Sequence, residues 1–222
     1  MLSCRRVAKT YGTDRGDVIA VEGIDLDVES GQFTAIIGRS GSGKSSLLAM
    51  IGGLSRPSGG EVIVDDTEIW SLDEAGRASF RNLKIGYVFQ FTSLLQTLRL
   101  VDNVALPALL ARRQLAAQAY DKAAHLLDQM GLADYLDAYP SEVSAGEQRR
   151  AVIARALIND PAVLLADEPT ADLDEQTEME IMDELLAVNR ERRTTLLLVT
   201  HNLALAEQAG RIVHVANGRI VP

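Results

Sequence analysis

Cysteine is nearly absent from this chain of 222 residues, and histidine and tryptophan are scarce. The single cysteine, Cys4, cannot form an intramolecular disulfide, so a disulfide-stapled fold is excluded and a reducing compartment is indicated. Only three histidines are present, and the sequence has no Cys/His cluster of the kind that holds a structural metal. We therefore expect a fold stabilised by a hydrophobic core, which a chain of this length can build.

The chain also has fewer positively than negatively charged residues, and it has no long apolar run. The 22 Lys and Arg residues are outnumbered by 31 Asp and Glu residues, and the net charge of −9 argues against a general nucleic-acid-binding surface. No apolar stretch approaches the roughly 18 residues that span a bilayer. The first residues also lack the long apolar segment of a secretory signal. We expect a cytoplasmic protein with no nucleic-acid partner, in which any membrane role depends on a partner protein.

The hydrophobic pattern predicts an α/β fold. Uninterrupted apolar runs at residues 162–166 and 196–199 are typical of a parallel sheet that is covered on both faces. Residues 71–74 (Ser-Leu-Asp-Glu) have the form of a capping box and predict the start of a short helix. From about residue 91 to 143, Leu and Ala recur at helical spacing, whereas Asn217-Gly218 predicts a type I′ hairpin turn. Further strands are predicted at residues 4–9, 19–28, 33–37, 61–64 and 84–90.

Residues 38–45 read Gly-Arg-Ser-Gly-Ser-Gly-Lys-Ser and match the G-x-x-x-x-G-K-[ST] phosphate-binding loop in full. A predicted strand precedes this phosphate loop and a predicted helix follows it, which is the context in which backbone N–H groups cradle phosphate oxygens. Lys44 can then reach the β- and γ-phosphates, and the Ser45 hydroxyl can bind Mg²⁺. The sequence therefore predicts that the chain binds a nucleoside triphosphate.

Two adjacent carboxylates, Asp167 and Glu168, end the predicted strand at 162–166. Because neighbouring strand residues point to opposite sides, Asp167 can face a metal while Glu168 faces the γ-phosphate and its attacking water. Glu168 is the candidate general base or water-positioning group.

Residues 140–157 resemble the signature segment of the ATP-binding cassette (ABC) ATPases, whose usual core is Leu-Ser-Gly-Gly-Gln or -Glu. The resemblance extends over essentially the whole chain and implies the P-loop NTPase fold of ABC ATPases in a single domain, 1–222. The implied parts are a parallel-sheet core (1–90 and 145–222) with an N-terminal antiparallel β subdomain, and an inserted helical subdomain (about 91–144). The residues that match the signature are Val143, Ser144, Ala145, Gly146 and Glu147.

The resemblance also implies roles for single residues. Tyr11 stands where the family stacks an aromatic ring on adenine, and Asp174 lies in the loop that contacts the dimer partner. The implied catalytic residues are Glu168, the switch histidine His201, the coupling glutamine Gln90, and Lys44. The implied Mg²⁺ ligands are Ser45, Gln90 and Asp167, the last directly or through a water molecule. The implied ATP-binding residues are Tyr11, Gly38, Arg39, Ser40, Gly41, Ser42, Gly43, Lys44, Ser45 and Ser46.

The family assembles head to tail, so the resemblance implies two ATP molecules held between two subunits. Each ATP would contact one phosphate loop and, from a second copy or a paralogous subunit, the signature residues Ser144, Ala145, Gly146 and Glu147. Ser144-x-x-Glu147 is also a capping-box pattern, and the N-terminus of a helix suits a γ-phosphate. Ala145 replaces a glycine of the pattern. If this position requires a positive φ, we expect strain of about 1 kcal/mol or more, with weaker dimer closure or slower turnover.

Residues 90–107 look like the corresponding segment of lipoprotein-releasing and macrolide-export-type ATPases, with departures at Gln96 and Leu100. This resemblance implies an ATPase subunit that acts on an integral membrane partner at the inner face of the cell membrane. Three alternatives stay open: a soluble ABC ATPase of repair, cofactor assembly or translation, an importer ATPase, and a cassette kept as a binding module. Intact Lys44, Asp167, Glu168 and His201 argue against the last.

Overall fold

A computed structural model describes residues 1–13, 16–111 and 115–221 and contains ten strands and seven α-helices in those ranges. The strands are β1 (Leu2–Thr13), β2 (Gly16–Val28), β3 (Phe33–Ile37), β4 (Gly59–Val64), β5 (Thr67–Glu68), β6 (Ile85–Val88), β7 (Val163–Asp167), β8 (Thr195–Thr200), β9 (Arg211–Ala216) and β10 (Arg219–Val221). The α-helices are α1 (Lys44–Ile51), α2 (Glu74–Lys84), α3 (Leu100–Ala111), α4 (Ala116–Gln129), α5 (Ala145–Leu157), α6 (Glu175–Arg192) and α7 (Leu203–Ala206).

The strands form two sheets. An antiparallel sheet has the order β2-β1-β4-β5, and a six-stranded sheet has the order β10-β9-β3-β8-β7-β6. In the larger sheet all neighbours are parallel except β10, which pairs antiparallel with β9. Every residue of β3 and β8 is buried, as expected for largely apolar strands in a parallel sheet that is covered on both faces. The predicted α/β fold with a parallel core sheet is confirmed.

The register of the core sheet brings three loops to one edge. Ile37 at the end of β3 pairs with Thr200 at the end of β8, and Asp167 at the end of β7 pairs with Val199. The carboxyl ends of parallel strands are where α/β folds bind ligands. The phosphate loop, Glu168 and His201 all follow these ends directly.

Packing on the two faces of this sheet separates two hydrophobic clusters. One face is covered by α3, α4, α5 and α6, which share a single cluster that includes Leu100, Leu126, Ile153 and Leu185. The other face packs against α1 and the antiparallel sheet, with Leu26, Leu47 and Val62 in the second cluster. The division into a core and a helical subdomain at about 91–144 stays a prediction.

Three local details refine the predicted elements. The Asp73 side chain, and not Ser71, caps α2, with its Oδ1 accepting the Gly76 N–H at 2.7 Å. β6 ends at Val88, so Gln90 lies two residues beyond the strand that was expected to reach it. The hairpin turn is confirmed, since Asn217 and Gly218 both have positive φ (51° and 77°) between β9 and β10. Across the described ranges, no helix combines the length and the apolar character needed to cross a membrane.

Candidate nucleotide-binding site

The phosphate loop runs from the end of β3 into the N-terminus of α1. Gly43 is the N-cap of α1 with φ 104°, and a Cβ there would lie 2.1 Å from the carbonyl oxygen of Ala20. Both the positive φ and the close backbone approach require glycine. Among the residues that the structure describes, no side chain caps α1, so its first N–H groups are left to an outside acceptor, as an anion site needs.

Lys44 is nearly buried at 7% exposure, and its charge faces the loop. The Nζ atom donates to the carbonyl oxygens of Gly38 at 2.8 Å and Arg39 at 3.2 Å. The ammonium group is thus held inside the curve of the phosphate loop, where phosphate oxygens could replace these carbonyls.

Ser45 and Asp167 form a polar pair that joins the phosphate loop to β7. The Ser45 hydroxyl donates to Asp167 Oδ1 at 3.2 Å. Burial raises the pKa of the Asp167 carboxyl, while the hydrogen bond from Ser45 and the charge of Lys44 act in the opposite direction. A hydroxyl beside a desolvated carboxylate is a donor set that fits Mg²⁺.

Glu168 follows β7 and turns away from Asp167. Its φ is 46°, and its N–H donates to the carbonyl of Val199 at 2.9 Å. The Oε2 atom lies 2.9 Å from Nδ1 of His201, whose side chain is 74% exposed, whereas that of Glu168 is 14% exposed. A carboxylate with limited solvent contact therefore has an imidazole neighbour at the open side of the site.

Most of these groups, although not Asp167, line one cavity of about 750 Å³, called the nucleotide cavity below. Its described lining consists of residues 40–46 with Ala20, Gln90, Glu168 and His201, and it does not include residues 144–147. Tyr11 lies beside the loop, with its hydroxyl 3.4 Å from Ser46 Oγ, and this hydrogen bond lowers the pKa of the phenol. The ring of Tyr11 is partly open at 40% exposure of the residue.

The signature residues begin α5, as the capping-box pattern predicted. Ser144 is the N-cap, its Oγ accepts the Glu147 N–H at 3.3 Å, and Glu147 Oε2 accepts the Ser144 N–H at 2.7 Å. Ala145 is the first helical residue and does not have a positive φ. The condition for strain at Ala145 is therefore not met, because a helical position accepts alanine without cost. The expected effect on dimer closure and turnover stays a prediction. The confined position is Gly146, where a Cβ would lie 2.8 Å from Thr177 Cγ2.

Asp174 caps the next helix, α6. Its Oδ1 accepts the Thr177 N–H at 3.0 Å and its Oδ2 accepts the Thr177 hydroxyl at 2.6 Å. The Asp174 loop and the signature segment thus meet at Thr177.

A second cavity of about 700 Å³ lies between α2, β6, α3 and α5, and we call it the apolar groove. Its wall includes Tyr87 and Phe89, whose rings stack with centroids 4.0 Å apart, and Phe91 continues the stack at 5.8 Å from Phe89. Leu54 and Leu110 also line it and are 48% and 68% exposed. Exposed apolar surface in a concave site marks a binding surface.

Sequence reasoning missed several residues that organise the site. Arg149 and Arg155 of α5 bind the loop that contains Gln90, and Glu178 joins Thr170 to Asn202, with bonds of 2.7 and 3.0 Å. For Arg149, the only feature of the sequence that could have pointed to a role in the site is its position just after the signature residues. The contacts of Glu178 join residues 24 and 8 positions away, which no local pattern encodes.

Comparison with known proteins agrees with this geometry. Lipoprotein-releasing system ATP-binding proteins LolD are 43% identical in Syntrophotalea carbinolica (99% of this chain, 96% of the relative) and 43% identical in Geobacter metallireducens (100% and 98%). A structure described as the dimeric post-hydrolysis state of the ATP-binding cassette MJ0796 bound to ADP and Pi superposes with a TM-score of 0.93 at 35% identity, covering 100% of this chain and 97% of that one.

A second solved structure supports the same fold at lower similarity. The structure of cbiO1 from Clostridium perfringens, part of the ABC transporter complex cbiONQ, superposes with a TM-score of 0.86 at 27% identity, covering 100% of this chain and 86% of that one. The family profile described as ABC transporter matches residues 21–171. The resemblance inferred from the signature segment is confirmed, and the chain belongs to the ABC transporter family, with the fold of its ATP-binding subunits.

Proposed function

We propose that this chain is the ATP-hydrolysing subunit of a membrane transporter of the lipoprotein-releasing or export type. The observation that carries the proposal is the nucleotide cavity. Its lining includes the phosphate loop, whose Ser45 is hydrogen-bonded to Asp167 in a pair that fits Mg²⁺, and the Glu168–His201 pair. A module kept only for binding would not need that last pair.

The phosphate loop would hold the triphosphate at the N-terminus of α1, and Lys44 would exchange the carbonyls of Gly38 and Arg39 for the β- and γ-phosphate oxygens. Ser45 and Asp167, with Gln90, would hold Mg²⁺, which neutralises charge on the phosphates when bound. Tyr11 would stack on the adenine, since its ring is exposed beside Ser46.

Glu168 is the group that would orient or deprotonate the attacking water. Its carboxylate reaches the cavity from the end of β7, and the N–H of Glu168 is fixed to β8 through Val199. His201 would hold Glu168 and contact the γ-phosphate from the open side, at a position that its 74% exposure leaves accessible.

Residues 144–147 are missing from the described lining of the chain's own nucleotide cavity. The N-terminus of α5 would instead complete the site of a second subunit, presenting Ser144 and Gly146 to the γ-phosphate. MJ0796 is described as a dimer bound to ADP and Pi, which supports a head-to-tail pair here, either a homodimer or a pair with a paralogous subunit. Binding of two ATP molecules would favour the closed dimer and hydrolysis would reopen it.

The apolar groove would receive a cytoplasmic segment of the integral membrane partner. Phe89 and Ser93, which flank Gln90 in the chain, line the groove together with residues of α3. A segment bound there would therefore be displaced when the Gln90 loop moves. The relatives are named ATP-binding proteins of a lipoprotein-releasing system, which supports a role beside other subunits. With a membrane partner the chain would lie peripherally at the cytoplasmic face of the membrane.

Co-expression with candidate membrane subunits tests this function. We expect the chain to co-purify with an integral membrane protein and to hydrolyse ATP in a Mg²⁺-dependent way. Recovery with a soluble partner alone would favour the repair or assembly class, and nucleotide binding without hydrolysis would favour a regulatory cassette.

A further inference from the structure

Within the part of the chain that the structure describes, Arg149 is a buried cation whose hydrogen bonds include no carboxylate. The residue is 4% exposed, Nη1 donates to the carbonyl of Phe89 at 2.6 Å and Nη2 donates to the carbonyl of Gln90 at 2.8 Å. Among the described residues, Nε has no hydrogen-bond partner. A rigid fork that binds two consecutive carbonyls fixes the orientation of the backbone between them.

Burying a guanidinium group at this position costs free energy, so a packing role alone does not explain why an arginine is found here. Burial lowers the pKa of the Arg149 guanidinium, and the negative charge of Asp172 opposes that shift. A charged group buried against neutral carbonyls loses hydration that an uncharged side chain would not lose. The two bonds to the Gln90 loop are the compensation that the structure provides.

Arg149 also connects two parts of the protein, because it lies in the helix that begins with the signature and binds the loop that contains Gln90. It lies five residues after Ser144, about 7 Å along α5, so the same helix presents the signature to a second subunit and holds the backbone of Gln90. Gln90 also lines the nucleotide cavity. Arg155, further along α5, binds Ser93 through its carbonyl at 2.6 Å and through its hydroxyl, so α5 contacts this loop at two points.

We propose that Arg149 is a positioning residue that directs Gln90 into the nucleotide cavity and makes its placement depend on the position of the signature helix. The inference rests on the role proposed above for Gln90. Movement of α5 on closure with a second subunit would then shift Gln90 directly.

The test compares Arg149→Gln with Arg150→Gln, the same change at the next residue of α5. Arg150 pairs with Glu180 and Glu184 and has no described contact with the Gln90 loop. We expect Arg149→Gln to lower kcat about tenfold or more, the scale of a misplaced catalytic group, with unchanged ATP affinity, whereas Arg150→Gln keeps kcat. Arg149→Lys retains the charge but offers one donor nitrogen in place of two, so it should recover part of the loss. In metal-free protein, hydrogen exchange of residues 89–93 should rise in Arg149→Gln and not in Arg150→Gln.

A double-mutant cycle with Gln90→Ala distinguishes failure of the positioning role of Arg149 from failure of the proposed role of Gln90. If Arg149 acts through Gln90, the double variant is no slower than Gln90→Ala alone. Additive losses, or an equal loss in Arg150→Gln, would overturn the positioning role while leaving the function of Gln90 intact. Full turnover in Gln90→Ala would instead remove the proposed role of Gln90 and the inference with it. Should Arg149→Gln not fold, Arg149→Lys carries the same comparison.

Discussion

The backbone of Gly146 packs directly against the side chain of Thr177, so that a Cβ at position 146 would lie 2.8 Å from Thr177 Cγ2. Thr177 cannot move aside freely, because Asp174 binds both its N–H and its hydroxyl. This contact joins the start of the signature helix to the start of α6. Glycine at position 146 is therefore needed for packing within the subunit, independently of any contact that Gly146 makes with ATP bound to a second subunit.

Gly146→Ala should displace the N-terminus of α5 and lower ATP turnover about tenfold or more, while ATP binding to the single subunit is kept. Thr177→Ser removes the methyl group and keeps the hydroxyl for Asp174, so it should restore turnover when combined with Gly146→Ala. Steady-state ATPase assays on the single and double variants measure both effects. Without rescue by Thr177→Ser, the contact would not be the cause of the loss.

Ala145→Gly is the companion experiment one residue earlier. Ala145 begins α5 without a positive φ, so restoring the family's glycine relieves no strain. We expect turnover within about twofold of the unmodified chain, because glycine is merely a weaker helix former. A large gain in rate or in ATP-dependent dimerisation would show that Ala145 hinders closure, as the sequence first led us to expect.

Glu168→Gln should preserve ATP binding and abolish hydrolysis, leaving an ATP-bound dimer that elutes earlier in size-exclusion chromatography. Loss of a general base costs about a hundredfold or more in rate. Lys44→Ala is the control, since it should neither bind ATP tightly nor dimerise. Wild-type turnover in Glu168→Gln would take the catalytic role away from Glu168.

Much of this site could be predicted because it depends on short, contiguous motifs. The phosphate loop, Asp167, Glu168 and the capping box of Ser144 all follow from spacing along one strand end or helix start. Gly146 was predicted as a signature residue, but its contact with Thr177 was not, because Thr177 lies 31 residues away and is brought close by the packing of α5 on α6. The positive φ on which strain at Ala145 depended could likewise not be judged from the sequence alone. Arg149 escaped for the same reason, since its acceptors are carbonyls 59 and 60 residues away.

Glu184 should make the stability of the α5–α6 contact depend on pH. Burial raises the pKa of its carboxyl to about 7, against the lowering effect of Arg150, whereas an unfolded Glu titrates near 4.3, roughly its model-peptide value. The folded state therefore binds the proton more tightly, and the stability gained from it is full below the unfolded pKa and lost as pH rises through about 7. Glu184→Gln imitates the protonated form and should raise Tm more at pH 8 than at pH 5.

Glu191→Gln, an exposed position near the end of the same helix, is the control for Glu184→Gln and should show no such difference between the two pH values. Equal Tm changes for Glu184→Gln at both pH values would mean that Glu184 is ionised throughout.

Leu110→Ser should weaken binding of the membrane partner without altering the ATPase rate of the isolated subunit. Leu110 lines the apolar groove and is 68% exposed, so its apolar surface is available to a partner and contributes little to the core. Burying a leucine side chain contributes about 2 kcal/mol, which corresponds to an affinity loss of roughly thirtyfold. Leu115→Ser is a matched control, because Leu115 is 72% exposed and lies outside the described groove lining. Co-purification of each variant with the membrane subunit measures the difference, and equal recovery of the two variants would exclude the groove as the docking site.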